Sequence, residues 1–237
     1  MEYERLKSLL DAPVLLGRPN KKYPMPTDVP YQIFKRYGSI AADKYLWRIR
    51  EIKTAEERHR IEEAVKIALE ILAALDWQRP EREVARALKI AALREADGLA
   101  FEPIVAADEH SRFPHWQAGL KEPRQHMLVD FGVKYEGYNS DITEMFFIKE
   151  MEEFDQLVES FKELSRLATP GRRVADLANN FPLDMHALGH GIGIEVHEPP
   201  VIHERSRRTL KAGMVIALEP AIYTDKWGMR YEREVFV

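Results

Sequence analysis

Residues 127–147, MLVDFGVKYEGYNSDITEMFF, carry two acids, Asp130 and Asp141, within a run of β-branched and aromatic residues. A turn centred near Glu136 and Gly137 divides the run, which predicts a β-hairpin. An unpaired buried carboxylate is very costly, so acids in strands this apolar need an explanation. They indicate either a metal or catalytic site or a strand with one solvated face. This stretch alone leaves both interpretations open.

The pairing register decides whether the two acids can act together. If Tyr135 pairs with Tyr138, antiparallel counting puts Asp130 opposite Thr143, and Asp141 then lies on the same face as Asp130. Their backbones would be about 7–8 Å apart, a gap that metal ions can bridge between two carboxylates. A shift of one residue would put the two acids on opposite faces.

Three of the chain's eight histidines lie within residues 185–200, MHALGHGIGIEVHEPP. They are His186, His190 and His197. Glycines around His190 allow unusual backbone conformations or the close approach of a ligand. The segment IEVHE, residues 194–198, is expected to alternate as a strand, with Glu195 and His197 on one face. Three histidines so close to small residues favour a functional site over packing alone.

Two more acids follow in predicted strands. Glu219 lies at the end of the apolar run MVIALEPAIY, where Pro220 holds it in an extended conformation, and an acid on that face needs a partner. In the last stretch, GMRYEREVFV, Arg230 and Glu232 are neighbours on one face. Taken by itself, this last stretch favours an exposed edge strand with mixed charges.

Together these residues form a set of hard oxygen ligands with one imidazole. The set consists of Asp130, Asp141, His190, Glu219 and Glu232. Such ligands suit divalent Mn, Co, Zn or Fe, and carboxylates can bridge two ions. Two-metal sites of this kind are typical of hydrolases, in which they generate a hydroxide nucleophile.

The elements that must position this set are predicted to be helices in pairs beside antiparallel sheet, an α+β architecture. Thr54 is a plausible N-cap for a helix whose apolar stripe includes Ile61 and Leu72, and His59 is expected to be solvated on it. A second amphipathic helix follows Pro80 and stops by Gly98. Further elements are a strand in LAFEPIVAADEH, a loop that carries FPHW, and a helix in EEFDQLVESFKELSRLA.

Composition narrows the class of protein. The 237 residues suit one main domain with a small appendage, which we assign to residues 45–237 and 1–44. A net charge of -4 without a long basic run argues against nucleic acid or a membrane surface as a partner. The chain has no cysteine, so any metal must be bound by His, Asp and Glu. Without an apolar signal core or membrane span, a cytoplasmic enzyme is expected.

Four ordered motifs resemble those of the pita-bread metallopeptidases, which include methionine aminopeptidase, aminopeptidase P, prolidase and the metal-free creatinase. They are VDFGVKYEGYNSDIT, HALGHGIGIEVHEPP, MVIALEPAIY and GMRYE. The resemblance implies the pita-bread fold, a curved antiparallel sheet with flanking helix pairs. It covers about residue 46 to the last residue, and the N-terminal region is shorter than is usual in the family's Xaa-Pro peptidases.

The resemblance also implies roles for individual residues. The four acids and His190 named above would bind two metal ions, with Asp141 and Glu232 as bridges. His186, His197 and Arg230 look like those of the Xaa-Pro peptidases, which hydrolyse the bond between an N-terminal residue and proline. Glu219 would relay a proton, His197 would hydrogen-bond the intermediate, and Arg230 would hold Glu232 or a nearby carboxylate. His115 in FPHW would face the substrate with His186, although a histidine beside an aromatic residue is more often involved in packing.

Two departures from the family pattern bear on specificity. Glu144 stands where the family usually has Arg, which changes the charge near the metals. The segment VADLANNFPLD stands where a second full helix is expected. Short peptides are the expected substrates, and a homodimer is possible.

Two alternative functions stay open. One is a methionine-type aminopeptidase of the same family, which would cleave Met-Ala-Ser and spare Xaa-Pro peptides. The other is a pseudo-enzyme that binds peptide or protein and shows little catalysis when loaded with metal.

Overall fold

The computed structural model describes Pro24–Met25, Ile40–Ala41 and residues 43–237, with side chains from Trp47 onward. The predicted appendage at residues 1–44 lies almost entirely outside the described residues, so its boundary stays a prediction. The chain divides into two compact units, Met1–Ile52 and Lys53–Val237. All predicted site residues belong to the second unit.

The described helices are α1 (Asp43–Glu51), α2 (Ala55–Ala73), α3 (Glu81–Glu95), α4 (Glu152–Leu167) and α5 (Val174–Ala178). Helix α2 begins with a capping box, in which Thr54 Oγ1 accepts from Glu57 N and the Glu57 side chain accepts from Thr54 N. Caps of this kind contribute about 1 kcal/mol, and the predicted N-cap is confirmed. Ile61 and Leu72 are buried and His59 is exposed, as predicted.

The described strands are β1 (Pro24–Met25), β2 (Ile40–Ala41), β3 (Gly98–Leu99), β4 (Ile104–Ala107), β5 (His126–Phe131), β6 (Val133–Tyr135), β7 (Tyr138–Asn139), β8 (Ile142–Phe147), β9 (Gly189–Gly191), β10 (Glu198–Ile202), β11 (Val215–Leu218), β12 (Ala221–Tyr223), β13 (Gly228–Arg230) and β14 (Arg233–Phe236). In the second unit every strand pair is antiparallel. Two sheets matter most for the site, one in the order β4-β5-β8 and one in the order β10-β9-β11-β14.

The predicted hairpin is present with the predicted register. Tyr135 pairs with Tyr138, and Asp130 pairs with Thr143. Glu136 and Gly137 have φ of 46° and 82°, the positive values that a tight hairpin turn requires. The hairpin is bent at Gly132, where an added Cβ would lie 2.0 Å from the Ser140 carbonyl oxygen. The bend separates β5 from β6 and β7 from β8 without shifting the register.

The two faces of β5 pack against different layers. Met127, Val129 and Phe131 face a core formed with helices α2 and α3. Leu128 faces a second core, shared with Leu157 of α4 and with Met229. Every residue of β5 is buried, so the alternative of a strand with one solvated face is wrong.

The predicted strand at residues 194–198 is wrong, because the chain turns there and β10 begins only at Glu198. Local hydrogen bonds replace the strand ladder. The Asn139 side chain donates to the carbonyls of Gly193 (3.1 Å) and Ile194 (2.8 Å), and Gly193 N–H donates to the Glu195 carbonyl (3.1 Å). The Glu198 carboxylate accepts from Glu195 N–H (3.1 Å), which closes the turn.

The last stretch forms the edge strand β14, but its charged residues are not exposed as the stretch alone suggested. Arg230 and Glu232 are each 2% exposed, because this segment crosses the hairpin through a bridge between Glu232 and Thr143. The segment VADLANNFPLD holds only the five-residue helix α5, as its shortness predicted.

In the described part of the chain, none of the helices has the length and apolar character to cross a bilayer.

Candidate metal centre

Five separate segments bring the predicted ligands together. Asp130 lies in β5, Asp141 just before β8, His190 in β9, Glu219 just after β11, and Glu232 between β13 and β14. Two trios have ligand atoms that all lie within 4.8 Å of one another: Asp130, Asp141 and Glu232, and His190, Glu219 and Glu232. Glu232 belongs to both trios, so the structure contains two adjacent ligand sets that share one carboxylate.

The orientation of His190 fits a cation. Its Nδ1 lies 3.0 Å from the Gly191 carbonyl oxygen, which can only accept, so the proton is on Nδ1. The unprotonated Nε2 then faces Asp141 Oδ2 at 3.4 Å and Glu232 Oε1 at 3.9 Å. A lone pair aimed at two carboxylates is satisfied by a divalent ion between them. Asp130 Oδ1 is also buried without a hydrogen-bond donor among the described residues.

Arg230 holds Asp130 rather than Glu232. Its Nη2 donates to Asp130 Oδ2 at 2.6 Å, whereas the closest approach to Glu232 is 4.0 Å. Thr143 links the two acids, since its Oγ1 accepts from Arg230 Nε (2.9 Å) and donates to Glu232 Oε2 (2.8 Å). Burial alone would lower the pKa of Arg230, but the neighbouring carboxylates raise it, so the guanidinium stays charged.

Burial changes the protonation of the acids when no cation neutralises them. It raises the pKa of Asp130 to about 7, although Arg230 opposes the rise. Burial and the negative charge of Glu232 raise the pKa values of Asp141 and Glu219 well above the usual range. Acids with strongly perturbed pKa values in one cavity are typical of functional sites.

His186 belongs to a chain of hydrogen bonds. Its Nδ1 donates to the Ala187 carbonyl (2.7 Å), so Nε2 accepts from the Tyr223 hydroxyl (3.0 Å). Tyr223 in turn accepts from Arg230 Nη1 at 3.2 Å. His186 Nδ1 also lies 3.4 Å from Glu219 Oε2. Burial lowers the pKa of His186, which favours the neutral ring.

His197 and His115 lie at the surface of the same cavity. The His197 ring packs edge-on against His190, with 4.3 Å between ring centroids, and the two histidines form a third close trio with Asp141. Burial, and then the charge of His190, lower the pKa of His197. His115 lines the cavity from a loop whose Pro114 carbonyl accepts from Arg230 Nη1 at 3.4 Å. All nine predicted site residues therefore line one cavity of about 1060 Å³.

Three polar residues of the site were not predicted. Thr143 and Tyr223 bind Arg230, and Glu234 accepts from Asp141 N–H at 2.7 Å. Burial raises the pKa of Glu234 to about 8. In the last stretch, the alternation of residues places Glu234 on the same face as Arg230 and Glu232. This pattern could have predicted that Glu234 belongs to the site.

Glu144 does not leave an uncompensated charge near the candidate ligands. It is paired with Arg233, which also donates to the carbonyls of Thr143 (2.8 Å) and Glu232 (2.7 Å). The pair therefore fastens the segment that carries Glu232 to β8.

The chain was compared with known proteins. The profile of metallopeptidase family M24 matches residues 59–237. A relative from Pyrococcus furiosus, named Xaa-Pro dipeptidase, is 34% identical; the match covers 86% of this chain and 64% of that protein. The chain thus spans less than two thirds of the length of this relative.

Solved structures agree with the sequence comparison. The structure of an X-Pro aminopeptidase from Thermotoga maritima is similar, with a TM-score of 0.75 and 29% identity; the match covers 89% of this chain and 67% of that one. A recombinant prolidase from Thermococcus sibiricus has a TM-score of 0.79 and 27% identity, and the match covers 91% of this chain and 67% of that one. The predicted α+β pita-bread fold is confirmed, and the family implies divalent metal cofactors. The chain belongs to metallopeptidase family M24.

Proposed function

We propose that the chain is a metal-dependent peptidase that hydrolyses the bond between an N-terminal residue and proline in short peptides. The main support is the convergence of two ligand trios on Glu232, beside three histidines in one cavity. The Pyrococcus relative is named an Xaa-Pro dipeptidase and the Thermotoga protein an X-Pro aminopeptidase, which supports Xaa-Pro specificity.

We propose two divalent ions as cofactors, because two ligand sets share one carboxylate. Mn and Co are the first candidates, since the ligands are carboxylates and imidazole. Asp130, Asp141, His190, Glu219 and Glu232 would hold them. When bound, such ions supply an ionised water as nucleophile and offset negative charge on the attacked carbonyl. Arg230 orients Asp130 and favours its deprotonated form through the 2.6 Å ion pair.

The chain's own residues would perform the proton transfers and the positioning. Glu219 accepts a proton from the attacking water and passes it to the leaving amine, which suits an acid whose pKa is raised by burial. His197 donates a hydrogen bond to the oxygen of the attacked carbonyl. Two further histidines hold the substrate on either side of the scissile bond. They are His186, which Tyr223 orients, and His115 on the facing loop.

A peptide panel tests this function. The purified protein is stripped of metal, reloaded with Mn or Co, and assayed on Ala-Pro-Ala and Met-Ala-Ser. We expect metal-dependent release of alanine from Ala-Pro-Ala. Cleavage of Met-Ala-Ser alone would contradict the proline specificity, and no cleavage by protein that has bound metal would favour a peptide-binding pseudo-enzyme.

Glu219→Gln tests the site itself. The substitution removes the proton acceptor, and we expect kcat to fall by about 10²–10⁴-fold. Metal content, measured in parallel, separates loss of the base from loss of a ligand. His59→Gln, on the exposed face of α2, is the matched control and should leave kcat unchanged. Full activity in Glu219→Gln would exclude this mechanism.

A further inference from the structure

Helix α3 presents a row of cations to the cavity. Arg82, Arg86 and Lys89 recur at helical spacing on the face that also carries Ala85, and all four line the cavity. Lys89 is paired with Glu102, so its charge is compensated. Arg82 and Arg86 are exposed and have no acidic partner within 4.0 Å among the described residues.

The helix itself does not account for this arrangement. Like charges four residues apart destabilise a helix by a few tenths of a kcal/mol, and Arg82 and Arg86 are such a pair. The nearby acid Glu83 does not neutralise them, since it lies 3.6 Å from Arg79 instead. Two uncompensated guanidinium groups at the wall of a cavity are suited to binding a carboxylate in a forked geometry.

The row has a fixed position relative to the metal centre. Arg82 N–H donates to the Gly119 carbonyl (2.9 Å), which joins the start of α3 to the loop that carries His115. Farther along α3, Lys89 binds Glu102, two residues before Ile104, and Ile104 pairs with Asp130. The path from Glu102 to Asp130 runs along two residues at about 3.3 Å each and then across one strand spacing of about 5 Å. Its length is therefore at most about 12 Å.

Groups of opposite charge therefore line the same cavity. The acids lie at the metal centre and the arginines lie on α3, and the apolar residues Phe101, Ile104 and Trp116 also line the cavity. An extended peptide covers about 3.3–3.6 Å per residue. With its scissile carbonyl at the metal centre, a tripeptide or tetrapeptide carries its free carboxylate farther from that centre than a dipeptide does, by about 3.3–3.6 Å for each added residue.

We propose that Arg82 and Arg86 bind the C-terminal carboxylate of substrate peptides of three or four residues. This inference rests on the proposed peptidase function and deepens it, since it assigns the chain to longer substrates than dipeptides. The guanidinium groups contribute to substrate binding and take no part in bond cleavage, so they act on KM and leave kcat nearly unchanged.

The test compares free acids with amides. Ala-Pro, Ala-Pro-Ala and Ala-Pro-Ala-Ala are assayed as C-terminal acids and as C-terminal amides. For the tripeptide or tetrapeptide we expect the acid to have a kcat/KM about tenfold above the amide, and the preference should shrink as salt is added. The double variant R82Q/R86Q should lose the preference through KM, with the amides unchanged. Arg94→Gln, an exposed arginine of α3 outside the cavity, is the matched control.

The outcomes separate this inference from the proposed function. Hydrolysis of the amides reports the peptidase activity, and the acid-to-amide ratio reports the carboxylate site. A ratio near one in the parent protein, or an equal ratio in R82Q/R86Q, overturns the inference. A preference for Ala-Pro-Asp-amide over the Ala-Pro-Ala acid would assign the arginines to a side-chain carboxylate and would also overturn it.

If none of the peptides is cleaved, calorimetry with the metal-loaded protein can still measure the affinity for each acid and each amide. About tenfold tighter binding of the acid, lost in R82Q/R86Q, would support the inference even though the proposed function had failed. Equal affinities for acid and amide would overturn the inference.

Discussion

Arg230 connects the acidic cluster to the facing wall of the cavity. One guanidinium group donates to Asp130, Thr143, Tyr223 and the Pro114 carbonyl. Because it is 2% exposed, its charge is compensated by the carboxylates around it rather than by solvent. Lysine cannot replace this contact set, since one ammonium group cannot reach acceptors in so many directions. The residue therefore positions both a predicted ligand and the His115 loop.

Arg230→Met tests this role in the metal-free protein. The substitution keeps the volume but leaves Asp130 buried without its cation, and we expect the free energy of unfolding to fall by about 3–5 kcal/mol. Urea denaturation measures the change, and Arg94→Met on the exposed face of α3 is the control. Because a divalent ion can take over the compensating charge, added Mn should recover part of the loss. A change below about 1 kcal/mol would mean that the ion pair does not stabilise the site.

At the level of elements, helix α3 serves the site with two faces. Its first residue, Glu81, is fully buried and points inward, while the arginine row points into the cavity. The Glu81 carboxylate accepts from Ala107 N–H (2.8 Å), Trp116 Nε1–H (2.9 Å) and Gly119 N–H (2.7 Å), and lies 2.6 Å from His110 Nδ1. One side chain thus holds the loop that carries His115 and Trp116.

Glu81→Gln tests whether Glu81 is a positioning residue for this loop. Glutamine keeps the shape but presents an amide donor to groups that are themselves donors, so we expect a loss of about 1–3 kcal/mol in unfolding free energy. Because the loop forms one wall of the substrate cavity, KM should rise more than kcat falls. Glu83→Gln, two positions along at the exposed surface, is the control. If KM stays at the parent value while stability drops, Glu81 supports the fold without positioning the substrate wall.

At the level of the whole molecule, the centre exists only where the two main sheets meet. Hairpin strands β5 and β8 supply one side, β9 and β11 supply the other, and the segment between β13 and β14 crosses from one to the other at Glu232. Burying so many acids close together, away from water, costs free energy unless cations or protons neutralise them. We therefore expect metal binding and folding to be coupled in this molecule.

This coupling predicts a pH dependence. Burial raises the pKa of Asp130 to about 7 and that of Glu234 to about 8, from values near 4 in the unfolded chain. The folded metal-free protein then binds more protons than the unfolded chain between those values, so its stability falls as pH rises. We expect the Tm of the metal-free protein to drop from pH 6.5 to 8.5.

Two comparisons check this prediction. Added Mn should raise the Tm more at pH 8.5 than at pH 6.5, because ions then replace protons that the acids have lost. Glu234→Gln should flatten the slope of the metal-free protein, since the amide still accepts from Asp141 N–H but cannot titrate. A metal-free Tm that is constant or rises over this range would contradict the raised pKa values.

Much of the site could be predicted from local patterns. Alternation and the Glu136-Gly137 turn determine the hairpin register, because a tight turn leaves one pairing that keeps the apolar residues on a common face. The cap at Thr54 follows from hydrogen bonds within one helical turn. The order of the four motifs was enough to predict the family and the candidate ligands.

Only the tertiary structure decided which charged groups are buried and which face each other. The last stretch has the same alternation whether it is solvated or covered, and it is covered because Glu232 crosses Thr143, 89 residues away in the chain. Contacts between residues far apart in the chain also decide that Asp130 is the partner of Arg230, that residues 193–197 form a turn and that Glu81 points inward. Sequence periodicity encodes local geometry, whereas burial and charge pairing are set by the packing of segments far apart in the chain.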